Sequence, residues 1–274
     1  MDSLSSVTPA VIQVRGVHVV LGRTLALDDV KLTIEAGERV FILGRSGSGK
    51  TTLSKVIKGR LRPSTGSVSV LSGDPASART RSRRSSERRI AMIDQEFYLV
   101  PRMSVVDNLL TGSLGRVPTL RSLLGWYPAP ELEKAEAILA EVELSGLENR
   151  RVETLSGGQR QRAAIARTLM QDADIIVADE PVSNLDPELA EDALELLVGC
   201  VARRRVTLLV NLHQPSLARR FASRIIGLSR GRVVYDGPPE AFTESAAQFL
   251  YTGDVDQAKV VAIEEPAKPV VGRA

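Results

Sequence analysis

The chain has 274 residues, 43% hydrophobic and 25% charged, a globular composition with length for one large α/β domain or a core carrying an inserted subdomain. Its 36 basic and 33 acidic side chains leave a net charge of only +3, which announces neither nucleic acid nor an anionic membrane as a partner. The single cysteine, Cys200, excludes an internal disulfide framework, and no apolar stretch approaches the ~18 residues of a membrane span. The opening MDSLSSVTPA lacks the charged and apolar regions of a signal peptide, so the expectation is a chain that stays inside the cell.

Residues 1–10 are expected to form a flexible start. Short β-branched runs then alternate with helical patterns. VIQVRGVHVV (11–20), ERVFILG (38–44), SVSVL (67–71), RIAMID (89–94), DIIVADE (174–180), VTLLVNLH (206–213), RIIGLS (224–229) and GRVVYDG (231–237) read as strands. Several are apolar on both faces, which predicts a buried, largely parallel sheet. Helices are expected after Gly49, after Ser156, and over 187–202, where Pro187 follows Asp186 at a cap position. Between Glu96 and Thr154 the strand signal vanishes, and ELEKAEAILAEV (131–142) is amphipathic, with Leu132, Ala135, Leu139 and Val142 on one face. That stretch reads as a helical subdomain, about residues 96–170, inserted in an α/β core spanning 11–253. The arginine run RTRSRRSSERR (79–89) has no interleaved aromatics and reads as a solvated face rather than a nucleic-acid site; 254–274 reads as a flexible tail.

Chemistry enters with GRSGSGKT, Gly44 to Thr51, which matches G-x-x-x-x-G-K-[ST] between an apolar strand and a helix. Gly44, Arg45, Ser46, Gly47, Ser48 and Gly49 form a loop whose backbone N–H groups converge on phosphates. Lys50 reaches the β- and γ-phosphates, Thr51 supplies a hydroxyl to Mg²⁺, and Thr52 continues the cradle. A nucleoside triphosphate site follows. In DIIVADEP a buried strand ends in Asp179 and Glu180; after a P-loop, such a pair reads as a magnesium aspartate and a glutamate that polarises the attacking water. LSGGQRQRAAIAR (155–167) places a serine and two glycines at the mouth of a helix, as a phosphate-binding N-terminus does, yet it has no lysine.

Together these motifs resemble one family, the nucleotide-binding subunits of ABC (ATP-binding cassette) transporters, over roughly residues 11–250, with LSGGQ at 155–159 as the most specific element. The resemblance implies a RecA-like P-loop NTPase core, an antiparallel β portion near the N-terminus and an inserted helical subdomain carrying the signature. It implies ATP and Mg²⁺ as cofactors, and two copies pairing head to tail. Ser156, Gly157, Gly158 and Gln159 of one copy then close over the γ-phosphate held by the P-loop of the other. By the same resemblance, Gln95 touches Mg²⁺ and the attacking water, Asp186 in SNLDP lies on the loop crossing the dimer interface, and His213 contacts the γ-phosphate and keeps Glu180 in line. One position departs from the family: the aromatic ring on which adenine stacks falls on Leu21 or Val20. An aliphatic surface there loses a stacking component of ~0.5–1.5 kcal/mol, so phosphate contacts are expected to dominate.

A narrower resemblance lies in QEFYLVPRMSVVDNLLTGSLGRVPTLRSLLGWYP (95–128) and in NLHQPSLARRFASRIIGLSRGRVVYDGPPEAF, which are similar to ATPases of phosphonate-type importers. This implies a peripheral subunit on the cytoplasmic face of the membrane, partnered by permease subunits and, in the same system, by an extracytoplasmic substrate-binding protein. Phe97, Tyr98, Leu99 and Pro101 are the candidates for the permease-docking groove. The rival readings are an importer ATPase for another solute, or a cassette ATPase acting on nucleic acid or the ribosome.

Overall fold

A computed structural model of the chain describes residues 9–75, 88–118, 121–122, 124–183 and 185–252; the expected flexible tail, most of the expected flexible start and residues 79–87 of the arginine run lie outside them. The N-terminal strands β1 (Ala10–Leu21) and β2 (Thr24–Glu35) form a long hairpin, and β1 pairs on its other side with β4 (Thr65–Val70), giving an antiparallel sheet of order β2-β1-β4. The main sheet is built from β3 (Arg39–Leu43), β5 (Ile90–Ile93), β6 (Ile175–Asp179), β7 (Thr207–Leu212), β8 (Arg224–Ser229) and β9 (Arg232–Gly237) in the order β5-β6-β7-β3-β8-β9. All its neighbours run parallel except the terminal β8–β9 pair.

Strand alternation divides the core in two. Val40, Ile42, Ile175, Val177 and Leu209 face the antiparallel sheet and helix α1 (Lys50–Ile57). Phe41, Leu43, Ile176, Ala178, Leu208 and Val210 face the other layer, which holds the other α-helices. Those are α2 (Val105–Leu110), α3 (Ala129–Glu141), α4 (Gly157–Met170), α5 (Pro187–Arg204), α6 (Pro215–Phe221) and, after the last strand, α7 (Glu244–Thr252). With both faces covered, the central strands are apolar on both sides, as the sequence requires of a parallel sheet.

Local chemistry sets the helix starts that matter. Ser156 caps α4 by accepting from the Gln159 N–H while the Gln159 side chain accepts from the Ser156 N–H, a complete capping box. Asp186 caps α5 by accepting from the Leu189 N–H at 3.0 Å, with Pro187 in the first turn. Between Ile93 and Ile175 the described residues contain helices and turns but no strand.

Two expectations need correction. Strand β2 is absent from the strand pattern read above, because its buried residues Leu27 and Val30 are three apart and break the alternation; the register slips there, and Asp29 takes a left-handed φ of 49°. Leu132 does not share the buried face of α3: it is 46% exposed, while Ala135, Ile138 and Leu139 pack inward and Val142 is buried just past the helix end. No helix among the described residues is long and apolar enough to cross a membrane.

Candidate active site at the carboxyl edge of the sheet

Strands β6, β7 and β3 are adjacent and parallel, so the residues following their last positions meet at one edge. From β3 comes the loop Gly44–Gly49. Gly49 has φ 110°, and a Cβ on it would lie 2.7 Å from the Ala26 carbonyl oxygen, so only glycine lets the loop pass beneath the β2 strand. A Cβ on Gly44 would lie 2.3 Å from the Leu228 carbonyl oxygen. Arg45, Ser46 and Gly47 are exposed at the loop crest, whereas Ser48 is buried and its carbonyl accepts from the Gly231 N–H at 2.9 Å.

Lys50 and Thr51 open α1. The Lys50 ammonium is buried and donates to the Gly44 and Arg45 carbonyls at 2.7 and 3.2 Å. Burial lowers its pKa, opposed by the charges of Glu180 and Asp179. The Thr51 hydroxyl donates to Asp179 Oδ1 at 3.2 Å, joining the P-loop helix to the end of β6. Glu180 has a left-handed φ of 51°, and its N–H donates to the Asn211 carbonyl at 3.1 Å. Its carboxylate meets His213 Nε2 at 2.5 Å. Lys50, Thr51, Asp179, Glu180 and His213 are therefore one cluster drawn from three parallel strands. Such an edge can hold a polyphosphate at the loop and a carboxylate and imidazole near its terminal phosphate.

The other residues singled out by sequence lie around this cluster or apart from it. Gln95 is exposed in the turn after β5, the strand beyond β6, and its side chain has no hydrogen bond to the cluster among the described residues. Leu21 ends β1 opposite Thr24; it is 46% exposed, and Val20 and Leu25, paired across the hairpin, are 49% and 47% exposed. Along β2, Ala26 and Leu27, next after Leu25, are the residues that lie over Gly49 of the phosphate loop. Ser156, Gly157, Gly158 and Gln159 sit at the start of α4, and no hydrogen bond joins them to Gly44–Thr52 among the described residues. Asp186 begins α5 next to them: a Cβ on Gly157 or Gly158 would meet Leu185 or Leu189. Buried Gln161 ties α4 to the catalytic edge by donating to the Pro181 carbonyl at 3.0 Å.

Sequence reading passed over two groups. Asn211 and Ser54 are buried, and the Asn211 amide donates both to Ser54 Oγ and to Asp179 Oδ1; the available signal was a lone amide inside the apolar run VTLLVNL. Arg167, on α4, donates to the Tyr98 and Phe97 carbonyls at 2.7 and 2.6 Å, and Phe97 and Tyr98 both carry left-handed φ of 57° and 43°. The guanidinium thus braces the turn after Gln95 against the signature helix. Burial lowers the Arg167 pKa, opposed by Asp94.

Fold and site define a P-loop nucleotide-binding ATPase. Residues 27–183 match the ABC transporter family. The phosphonates import ATP-binding protein PhnC of Frankia casuarinae is 42% identical over 259 residues, 94% of this chain and 97% of that protein. PhnC 2 of Cupriavidus necator is 42% identical over 236 residues, 85% of this chain and 83% of that one. Among solved structures, MJ1267, an ATP-binding cassette of an ABC transporter in its ADP conformation, superposes with a TM-score of 0.74 at 27% identity, covering 92% of this chain and 98% of that one. The dimeric post-hydrolysis cassette MJ0796 bound to ADP and Pi gives 0.69 at 30% identity over 83% of this chain and 98% of that one. The chain belongs to the ABC transporter family, as one of its ATP-binding, ATP-hydrolysing subunits.

Proposed function

We propose that this subunit energises the import of phosphonates or related phosphorus oxyanions, working as a head-to-tail pair on the cytoplasmic face of the membrane against separate permease subunits, with an extracytoplasmic binding protein delivering the solute. The observation that carries the catalytic half is the meeting of Lys50, Thr51, Asp179, Glu180 and His213 at one sheet edge. The substrate half is supported by relatives that cover nearly the whole chain and carry the phosphonates import name.

Gly44–Thr52 hold the triphosphate, with Lys50 against its terminal phosphates. The donor set beside it, the Thr51 hydroxyl and the Asp179 carboxylate, is hard oxygen and fits Mg²⁺, with Gln95 joining from the neighbouring turn. Bound there, Mg²⁺ neutralises phosphate charge. Glu180 takes a proton from the attacking water, and His213 holds the carboxylate in the orientation that its 2.5 Å contact fixes. The aliphatic tip at Leu21 covers the base. Each chain owns the loop half of a site but carries its signature at the start of α4, unbonded to that loop, so a second copy's Ser156–Gln159 completes the site and Asp186 lies at the seam. Residues about 96–170 act as the helical subdomain within the 11–253 unit. Phe97, Tyr98, Leu99 and Pro101 form the permease-facing groove, in the turn that Arg167 braces; Arg167 also lines a cavity of about 500 Å³ with Lys58, Arg60, Asp94 and Arg116.

The test is reconstitution with the cognate permease and binding protein. ATP hydrolysis should rise when the binding protein is loaded with a phosphonate, and Lys50→Ala should abolish uptake. Stimulation only by a sugar, amino acid or metal-loaded binding protein removes the substrate assignment. Stimulation by nucleic acid with no permease bound removes the transport reading.

A further inference from the structure

Strand β7 is buried along its whole length, and within it Asn211 is 1% exposed. Its Nδ2 donates 2.7 Å to Asp179 Oδ1 and 2.9 Å to Ser54 Oγ. Ser54 is fully buried on α1, one turn beyond Thr51, whose hydroxyl reaches the same Asp179 oxygen. Both donors therefore converge on Oδ1, and Oδ2 takes part in no hydrogen bond or ion pair among the described residues. The Asn211 carbonyl accepts the Glu180 N–H, and His213, two positions on, meets the Glu180 carboxylate. One short stretch of β7 thus touches both acidic residues.

We propose that Asn211 is a positioning residue for the metal: it fixes the Asp179 carboxylate in one rotation, with Oδ2 left to ligate, and through Ser54 locks it in register with the Thr51 hydroxyl. Packing alone gives no reason for an amide here. Asn211 Oδ1 is buried without a partner among the described residues, an acceptor that an apolar side chain of the same shape would not strand. What leucine cannot supply is the pair of hydrogens that joins β6 to α1. The inference rests on Asp179 being the metal carboxylate.

The experiment follows Mn²⁺ binding to the full chain in the presence of a non-hydrolysable ATP analogue, by loss of the free Mn²⁺ paramagnetic resonance signal. Binding of a fluorescent ATP analogue in EDTA runs alongside as a metal-free measure of the nucleotide site. Asn211→Leu should weaken Mn²⁺ binding about tenfold, as expected for a lost hydrogen bond to a charged group, and leave metal-free nucleotide binding unchanged. Ser54→Ala, which removes only the far anchor, should weaken Mn²⁺ binding by less, in the same direction. Wild-type Mn²⁺ affinity in Asn211→Leu with intact metal-free binding overturns the proposal. If Asn211→Leu also loses metal-free binding, Ser54→Ala decides, and unchanged Mn²⁺ affinity there overturns it. Asp179→Ala separates the two layers. Retained Mn²⁺ affinity in that variant removes the metal reading itself, whereas loss in Asp179→Ala with wild-type affinity in both other variants removes only the positioning role.

Discussion

Glu180 occupies a left-handed backbone conformation that a non-glycine residue adopts at a cost, ~1–3 kcal/mol, and it is held there by the Asn211 carbonyl and by His213. Strain kept at the end of β6 aims one carboxylate, so changing its charge while keeping its shape should change chemistry and little else. Glu180→Gln is expected to retain ATP binding and lose at least about a hundredfold in hydrolysis, the scale of a general base. Equilibrium titration with ATP and single-turnover hydrolysis check it, and near wild-type turnover would remove Glu180 from the role. Where the proposed site places the base, exposed Leu21, Val20 and Leu25 offer an aliphatic surface with no ring. Leu21→Tyr should tighten ATP binding by up to about tenfold, the ~1 kcal/mol that stacking adds. Parallel ATP and GTP titrations measure it, and no gain in either would place the base on another side chain.

At the scale of elements, the joint between α3 and α5 is an ion cluster: Glu141, at the end of α3, accepts from Arg203 and Arg204 at the end of α5, and buried Cys200 lies beneath. The Arg204 hydrogen bond is the largest influence, opposed by burial and reinforced by Arg203, and together they bring the Glu141 carboxyl down to about 2. Its native pKa is depressed, so its contribution is complete above the ordinary carboxyl range and fades as pH falls from about 4.5 towards about 2. Glu141→Gln is therefore expected to cost about 1–3 kcal/mol at pH 7, with the gap narrowing below pH ~4.5. Urea unfolding of both proteins across that range tests it; a gap independent of pH would mean the cost is steric. Such a joint was invisible in the sequence, because its three charges come from segments sixty residues apart and no local pattern joins them. The helices themselves were legible where a cap and a period agreed, at Ser156 and Asp186, and the buried strands where apolar runs were unbroken. β2 was lost at its bulge, and α2 and α6 are too short to show a period. At the site, glycine spacing and the Asp179–Glu180 pair spoke in the sequence; Asn211, Ser54 and Arg167 did not, since a single polar residue in an apolar run acquires meaning only from its neighbour on another strand or helix.

For the whole molecule, the proposed head-to-tail reading turns on two helix starts, those of α1 and α4, which no hydrogen bond joins among the described residues. The start of α1 carries the lysine and meets the carboxylate cluster, while at the start of α4, capped by Ser156, Gly157 and Gly158 lie against Leu185 and Leu189 around the start of α5. The divided site proposed above makes a prediction that a self-contained ATPase does not. Lys50→Ala removes the phosphate grip and Ser156→Arg fills the signature with a bulky side chain, so a pair made wholly of either variant has two damaged sites. In a mixed pair, the P-loop of the Ser156→Arg chain faces the signature of the Lys50→Ala chain, and that one site is intact. Each variant alone should fail to dimerise with ATP and Mg²⁺, and mixing them should restore an ATP-dependent dimer and a measurable share of hydrolysis. Size-exclusion chromatography and an ATPase assay on the separate and mixed proteins read both quantities. Activity in Ser156→Arg alone, or no recovery on mixing two folded variants, would show that each chain completes its own site and would end the head-to-tail arrangement.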